Sequence, residues 1–204
     1  MRNLCFLLTA LAATCLNSVG KFDEKSALAV LASDSEMKAR ACQALAVYGG
    51  PESVPALAEL LSDKQLASYA RTALEVIDDP SAGEALRNAL PKLNGRLLAG
   101  AMTSLGVRGD VASVPALQEI ATDPNSGVAG SALAALARIG TEDALATVIK
   151  TLNQGSAELR ISAAHAALAA AENMDKQENN MAVQQLLEAV RSAVLPEHIR
   201  QAAM

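Results

Sequence analysis

Chemistry in this chain would have to come from two histidines, three cysteines and a scatter of acidic and arginine side chains. A metal site needs several such ligands converging at helix or loop spacing. His165 lies among alanines at helical spacing and His198 opens a separate segment, with no Cys, Asp or second His at ligand spacing from either. Both read as ordinary surface or packing histidines. Cys42 falls on helical spacing inside an apolar pattern, without a histidine or basic side chain arranged to activate it, and reads as a buried thiol rather than a nucleophile. Asp78-Asp79-Pro80 lacks the alternating ligands of a calcium loop and reads as a turn. Asp34, Arg40, Asp63, Arg71 and Arg160 admit two readings, a charged binding groove or a set of turn caps and links between successive structural units. There is no Gly-rich phosphate loop, no Cys-x-x-Cys-His haem attachment and no Gly-x-Ser-x-Gly elbow. The sequence therefore singles out no catalytic, cofactor-binding or metal-ligating residue, and no cofactor.

The elements that carry these residues are legible in the composition. The chain is 51% hydrophobic but only 2% aromatic, has no tryptophan and is rich in alanine. That favours closely spaced helices over a sheet, which would draw on β-branched and aromatic residues. The net charge of −5 and the absence of a basic run argue against a nucleic-acid groove. Residues 1–20 look like an export signal: Arg2, then an apolar run over 4–16, then Ser18-Val19-Gly20 as a cleavage site. The run is too short for a permanent membrane span. Cleavage after Gly20 removes Cys5 and Cys15, leaving Cys42 alone, so the mature domain holds no internal disulfide. Ala13-Thr14 before Cys15 is a poor match to a lipoprotein acceptor. A periplasmic or extracellular location follows as an expectation.

Residues 57–86 supply the pattern that recurs on both sides. Val54, Leu57, Leu60 and Leu61, then Ala70, Ala73, Leu74 and Ile77, repeat at three-and-four spacing on either side of the polar break Ser62-Asp63-Lys64. The unit is two antiparallel helices, each with an apolar stripe too small to make a core alone. Second helices align through Ala44-Leu45, Ala73-Leu74, Ala101-Met102, Ala135-Leu136 and Ala167-Leu168, with closing glycines expected at Gly49, Gly106 and Gly140. First helices align through Leu57, Leu86, Leu117 and Leu145. Ser53-Val54-Pro55-Ala56-Leu57 recurs as Ser113-Val114-Pro115-Ala116-Leu117, with serine expected as the N-cap acceptor and proline harmless in the first turn. Ser81 with Glu84 suggests a capping box. Residues 25–33 and 37–48 form an earlier pair, 159–171 a later second helix, 172–180 a polar loop, and 181–193 the last first helix. Residues 197–204 match the opening of the second helix at 157–164, so the array over 21–204 is expected to be truncated in its last repeat, as the N-terminal portion of a longer protein.

Leu60-Leu61-Ser62-Asp63 with Arg71-Thr72-Ala73-Leu74, Ala32-Ser33-Asp34 with Arg40, and residues 133–140 resemble the short HEAT-like repeats found in phycobilisome lyases and many bacterial scaffolds. The resemblance covers about 180 residues and implies an all-α, α-α superhelix whose second helices line a concave face for a protein partner. It departs at Ala129, where arginine is expected, and at Asn153, where aspartate is expected, so an Asp-to-Arg ladder should be incomplete there. Tetratricopeptide repeats would need more aromatics, and ankyrin's Thr-Pro-Leu-His is absent. The resulting expectation is a secreted, non-catalytic protein-interaction scaffold, its partner another protein or another domain of the same chain. The alternative is the non-catalytic N-terminal part of a longer secreted enzyme bearing a sugar-active or c-type haem domain. Bilin lyase activity follows from the resemblance alone and conflicts with an export signal.

Overall fold

The computed structural model describes residues 23–33, 36–123, 126–175 and 180–204. The expected export signal, Asp34, and residues 176–179 of the expected polar loop lie outside the described residues. Every apolar stripe read from the sequence becomes a helix. The pairs are α1 (Glu24–Leu31) with α2 (Lys38–Tyr48), α3 (Val54–Glu59) with α4 (Ala67–Val76), and α5 (Pro80–Ala89) with α6 (Gly95–Arg108). They continue with α7 (Val114–Thr122) and α8 (Ala129–Ile139), α9 (Glu142–Gln154) and α10 (Ala157–Asp175), and α11 (Asn180–Ser192) and α12 (Glu197–Gln201). No strand occurs among the described residues.

Partners within a pair pack together, and each layer also stacks on its own kind. In the second layer α2 lies on α4, α4 on α6, α6 on α8 and α8 on α10; in the first, α3 meets α5, α7 meets α9 and α9 meets α11. The molecule is an all-α superhelix of stacked antiparallel helix pairs. Its centre repeats one side-chain pattern. Ala41, Ala70, Ala101, Ala132 and Ala163 have no exposed surface, and four residues further on neither do Leu45, Leu74, Leu105, Leu136 and Ala167. Alanine lets neighbouring second helices approach, and leucine fills the layer between them. Burying each such leucine contributes about 1.5–3 kcal/mol relative to leaving it in water.

This places the register of α6 one turn later than the sequence suggests. The helix does not stop at Gly106. It runs to Arg108 and closes on Gly109, whose φ of 63° is left-handed, as is that of Gly140 at 74°. The cap N–H groups of Gly49, Gly109 and Gly140 bond back to Leu45, Leu105 and Leu136, so Leu105 rather than Met102 is the counterpart of Leu45. Gly106 is instead a point of close approach: a Cβ there would lie 3.0 Å from the Ala135 Cα of α8. In α10 the equivalent residue is Ala167 rather than Leu168, which is only partly buried.

Local capping also differs. Ser53 and Ser113 do sit at N-cap positions, but in helical backbone at the end of short 3-10 turns, so their hydroxyls accept no cap bond. Both are buried, and they donate to Glu24 Oε1 and to the Asp110 carbonyl oxygen respectively. The expected Ser81–Glu84 box is absent. Asp79 caps α5, accepting from the Ser81 N–H at 2.9 Å, with Pro80 as the first helical residue. Helix α10 continues through Glu172 to Asp175, so the polar insertion begins as helix.

Gly106→Leu is expected to lower stability by about 1–3 kcal/mol through overpacking. At Gly127 a Cβ meets nothing within 4 Å, and Gly127→Ala should be close to neutral. Urea unfolding of both variants checks the contrast.

Candidate interaction surface

The charged residues divide into those consumed by the architecture and those left outward. Asp63 Oδ1 accepts from the Leu66 N–H at 2.9 Å and the Gln65 N–H at 2.7 Å, fastening the turn before α4. These bonds hold its carboxyl below the ordinary aspartate range. Arg71 reaches forward into the next repeat, where Nη1 donates to the Gly100 carbonyl at 2.9 Å and to Ser104 Oγ at 3.2 Å. Ser104 in turn donates to Glu75 Oε1 at 2.6 Å. Gly100 makes room for this: a Cβ there would stand 2.5 Å from the Arg71 guanidinium carbon. The expected Asp-to-Arg ladder is thus replaced between α4 and α6 by an arginine bonded to backbone.

Four further links escape sequence reading. Arg108 reaches back to the C-terminal end of α4, donating from Nη1 to the Leu74 and Ile77 carbonyls and from Nη2 to the Asp79 carbonyl at 3.1 Å. A basic residue in a last turn is a familiar cap for its own helix. Here it satisfies the orphan carbonyls of the preceding repeat, and only packing sets that target. Glu24 Oε1 accepts from Ser53 Oγ at 2.6 Å and the Gly50 N–H at 2.7 Å, and these bonds, the hydroxyl's first, keep its carboxyl below the ordinary range. Arg87 pairs with Asp110 across the α5 to α7 junction. Where Ala129 replaces the expected arginine, Gln118 Nε2 joins α7 to α9 through Thr147 Oγ1 at 2.8 Å and the Asp143 carbonyl at 3.1 Å.

The candidates for chemistry are kept apart. Cys42 is fully buried and its thiol is pushed up to about 11, which leaves it protonated at neutral pH. His165 and His198 are exposed on different helices, and no cluster of three or more metal-ligand side chains occurs among the described residues. Arg160 is half-buried on α10, and Arg40 is exposed on α2.

With the register set by the buried leucines, the outer side of the second helices resolves into rows. Two residues before each leucine stand Gln43, Thr72, Thr103, Ala134 and His165; two after stand Val47, Val76, Val107, Arg138 and Ala169. All ten are exposed. Val47, Val76 and Val107 show 71%, 57% and 39% of their surface, flanked by Tyr48 and Tyr69. Between α8 and α10 the rows enclose an open groove of about 400 Å³ with a floor of alanines and with Arg138, His165 and Asn173 at its edges.

Stacked antiparallel helix pairs with this face define an α-solenoid repeat protein. Residues 83–169, from within α5 into α10, match the family model for HEAT repeats. The flanking pairs continue the same register. None of the curated proteins matches the chain. Among the described residues no helix is long and apolar enough to cross a membrane.

Arg108→Ala leaves three or more carbonyls without their donor and is expected to cost about 1–3 kcal/mol, read from the urea midpoint. Glu24 provides a pH test. Its lowered pKa means that its stabilisation is present above the ordinary glutamate value of 4.5 and is lost as pH falls through the lower folded value. Glu24→Gln should therefore reduce stability at pH 7 and flatten the loss of stability below about pH 4.5.

Proposed function

We propose that the chain is a non-catalytic scaffold that binds a segment of another protein, or of another domain of its own chain, along the outer side of α2, α4, α6, α8 and α10. The observation that carries this reading is the line Val47, Val76, Val107, three exposed valines at the same position of consecutive repeats. Single exposed apolar residues are ordinary, but the same exposed apolar position recurring in three consecutive repeats, with tyrosines on the same helices, supports an interaction site. HEAT repeats are commonly protein-interaction scaffolds, and the polar machinery of the chain is spent on joining repeats rather than on a reactive cluster.

Export is part of the proposal. Arg2, the apolar run over 4–16 and Ser18-Val19-Gly20 support a cleaved signal and a periplasmic or extracellular site of action. Cleavage should give a mature chain beginning at Lys21, which intact-mass measurement of the exported protein reads directly. Retention of residues 1–20 would overturn export.

A photo-crosslinking residue placed at position 76 should form an adduct with the partner, whereas the same residue at exposed Glu84 on the first-helix layer should not. Val76→Asp should weaken binding by about tenfold or more without moving the unfolding midpoint, since it removes an exposed apolar contact at the centre of the patch. Adducts from position 84 alone would overturn the assignment of the face.

A further inference from the structure

The charge on this face runs against that of the chain. The row five residues before the buried leucines holds Arg40, Tyr69, Gly100, Ser131 and Ser162. Taken with the two exposed rows, these outward positions carry Arg40, Arg138 and His165 and not one carboxylate, in a chain of net charge −5. The acids stand outside these rows: Glu59, Glu84, Glu119 and Glu142 are exposed on the first helices, Glu36 lies one turn before Arg40, and Glu158 is exposed in the first turn of α10. Glu75, on α4 beside the rows, is tied to Ser104, and Glu172 lies further along α10 in the cleft toward α11. Among the described residues no hydrogen bond or ion pair engages the side chains of Arg40 and Arg138, in contrast to those of Arg71, Arg87 and Arg108.

Resting on the reading of this face as a docking surface, we propose that its partner is an extended acidic peptide segment: small and apolar side chains along the valine row, with a carboxylate at each end, one meeting Arg40 and the other Arg138 at the alanine groove. The spacing sets the length. From α2 to α8 there are three helix-to-helix steps of about 8–10 Å, and the Arg40 row stands seven residues, about 10 Å along the axis, before the Arg138 row, so the peptide crosses on a diagonal of about 26–32 Å. An extended chain rises about 3.3 Å per residue and covers that distance in about eight to ten residues. Alanine at positions 134, 137, 166, 169 and 170 lets the peptide backbone sit low beside Arg138. A nucleic acid is disfavoured, because cations separated by valine and threonine cannot match a continuous row of phosphates.

The test uses two fluorescent peptides of about ten residues, alternating alanine and valine between two terminal glutamates or two terminal lysines, titrated with the purified protein and read by anisotropy. The glutamate peptide should bind at least roughly tenfold more tightly, and the preference should shrink as salt is raised. Arg40→Glu and Arg138→Glu, each checked for unchanged helical signal, should abolish or invert the preference. Equal binding, or preference for the lysine peptide, overturns the acidic assignment while leaving the docking surface intact. Binding of neither peptide also overturns it, and the crosslinking result at position 76 then tells whether the surface itself fails. Equal competition by a single-stranded oligonucleotide, or self-association lost in Arg138→Glu, would overturn the peptide as occupant.

Discussion

Everything in this protein depends on how closely one second helix can lie against the next. The five fully buried alanines from Ala41 to Ala163 fix that distance, and the buried residue one turn later fills the layer between repeats. A Cβ on Gly106 would press on the Ala135 backbone, which shows how little slack remains between α6 and α8. Interiors this close are felt at the scale of a single methylene. Because each repeat packs mainly on its neighbours, the same distance propagates along the array and keeps the outward rows aligned from helix to helix.

Close packing leaves helix ends to be satisfied, and here the array solves the problem between repeats. Arg108 serves carbonyls at the end of α4, Arg71 serves Gly100 in α6, and Glu24 serves Gly50 and Ser53 at the entry to α3. Four orphan donors or acceptors at each helix end must find partners. Spending side chains on those groups ties consecutive repeats together and removes the same side chains from any reactive site. Arg71, which on sequence grounds admitted both a binding groove and a structural link, falls to the link for this reason.

What remains outward is therefore informative. Rows of valine, threonine and alanine, with arginine at two places and no carboxylate, form a face that differs in both polarity and charge from the first-helix side. Its small and apolar side chains offer shape and distributed contacts. Cys42, the one thiol among the described residues, lies under that face, protonated and sealed from solvent.

Helical periodicity, the alanine-leucine pattern and the turn residues determined the fold class and the alternation of first and second helices, because apolar spacing reports which side of a helix is buried. The turn reading of Asp78-Asp79-Pro80 and the buried thiol at Cys42 were legible for the same reason. Tertiary structure decided the rest. A glycine reads identically as a helix stop or as a point of close contact, and only the position of Ala135 makes Gly106 the second, which moves the register of α6 by one turn. Serines 53 and 113 have the right type for caps, but the 3-10 turns before them turn their hydroxyls to other partners. The targets of Arg108 and Glu24 lie about 30 residues away, a separation at which local pattern carries no information. The valine row could be aligned only once the true leucines were known, since an error of one turn in α6 places Ser104 where Val107 belongs.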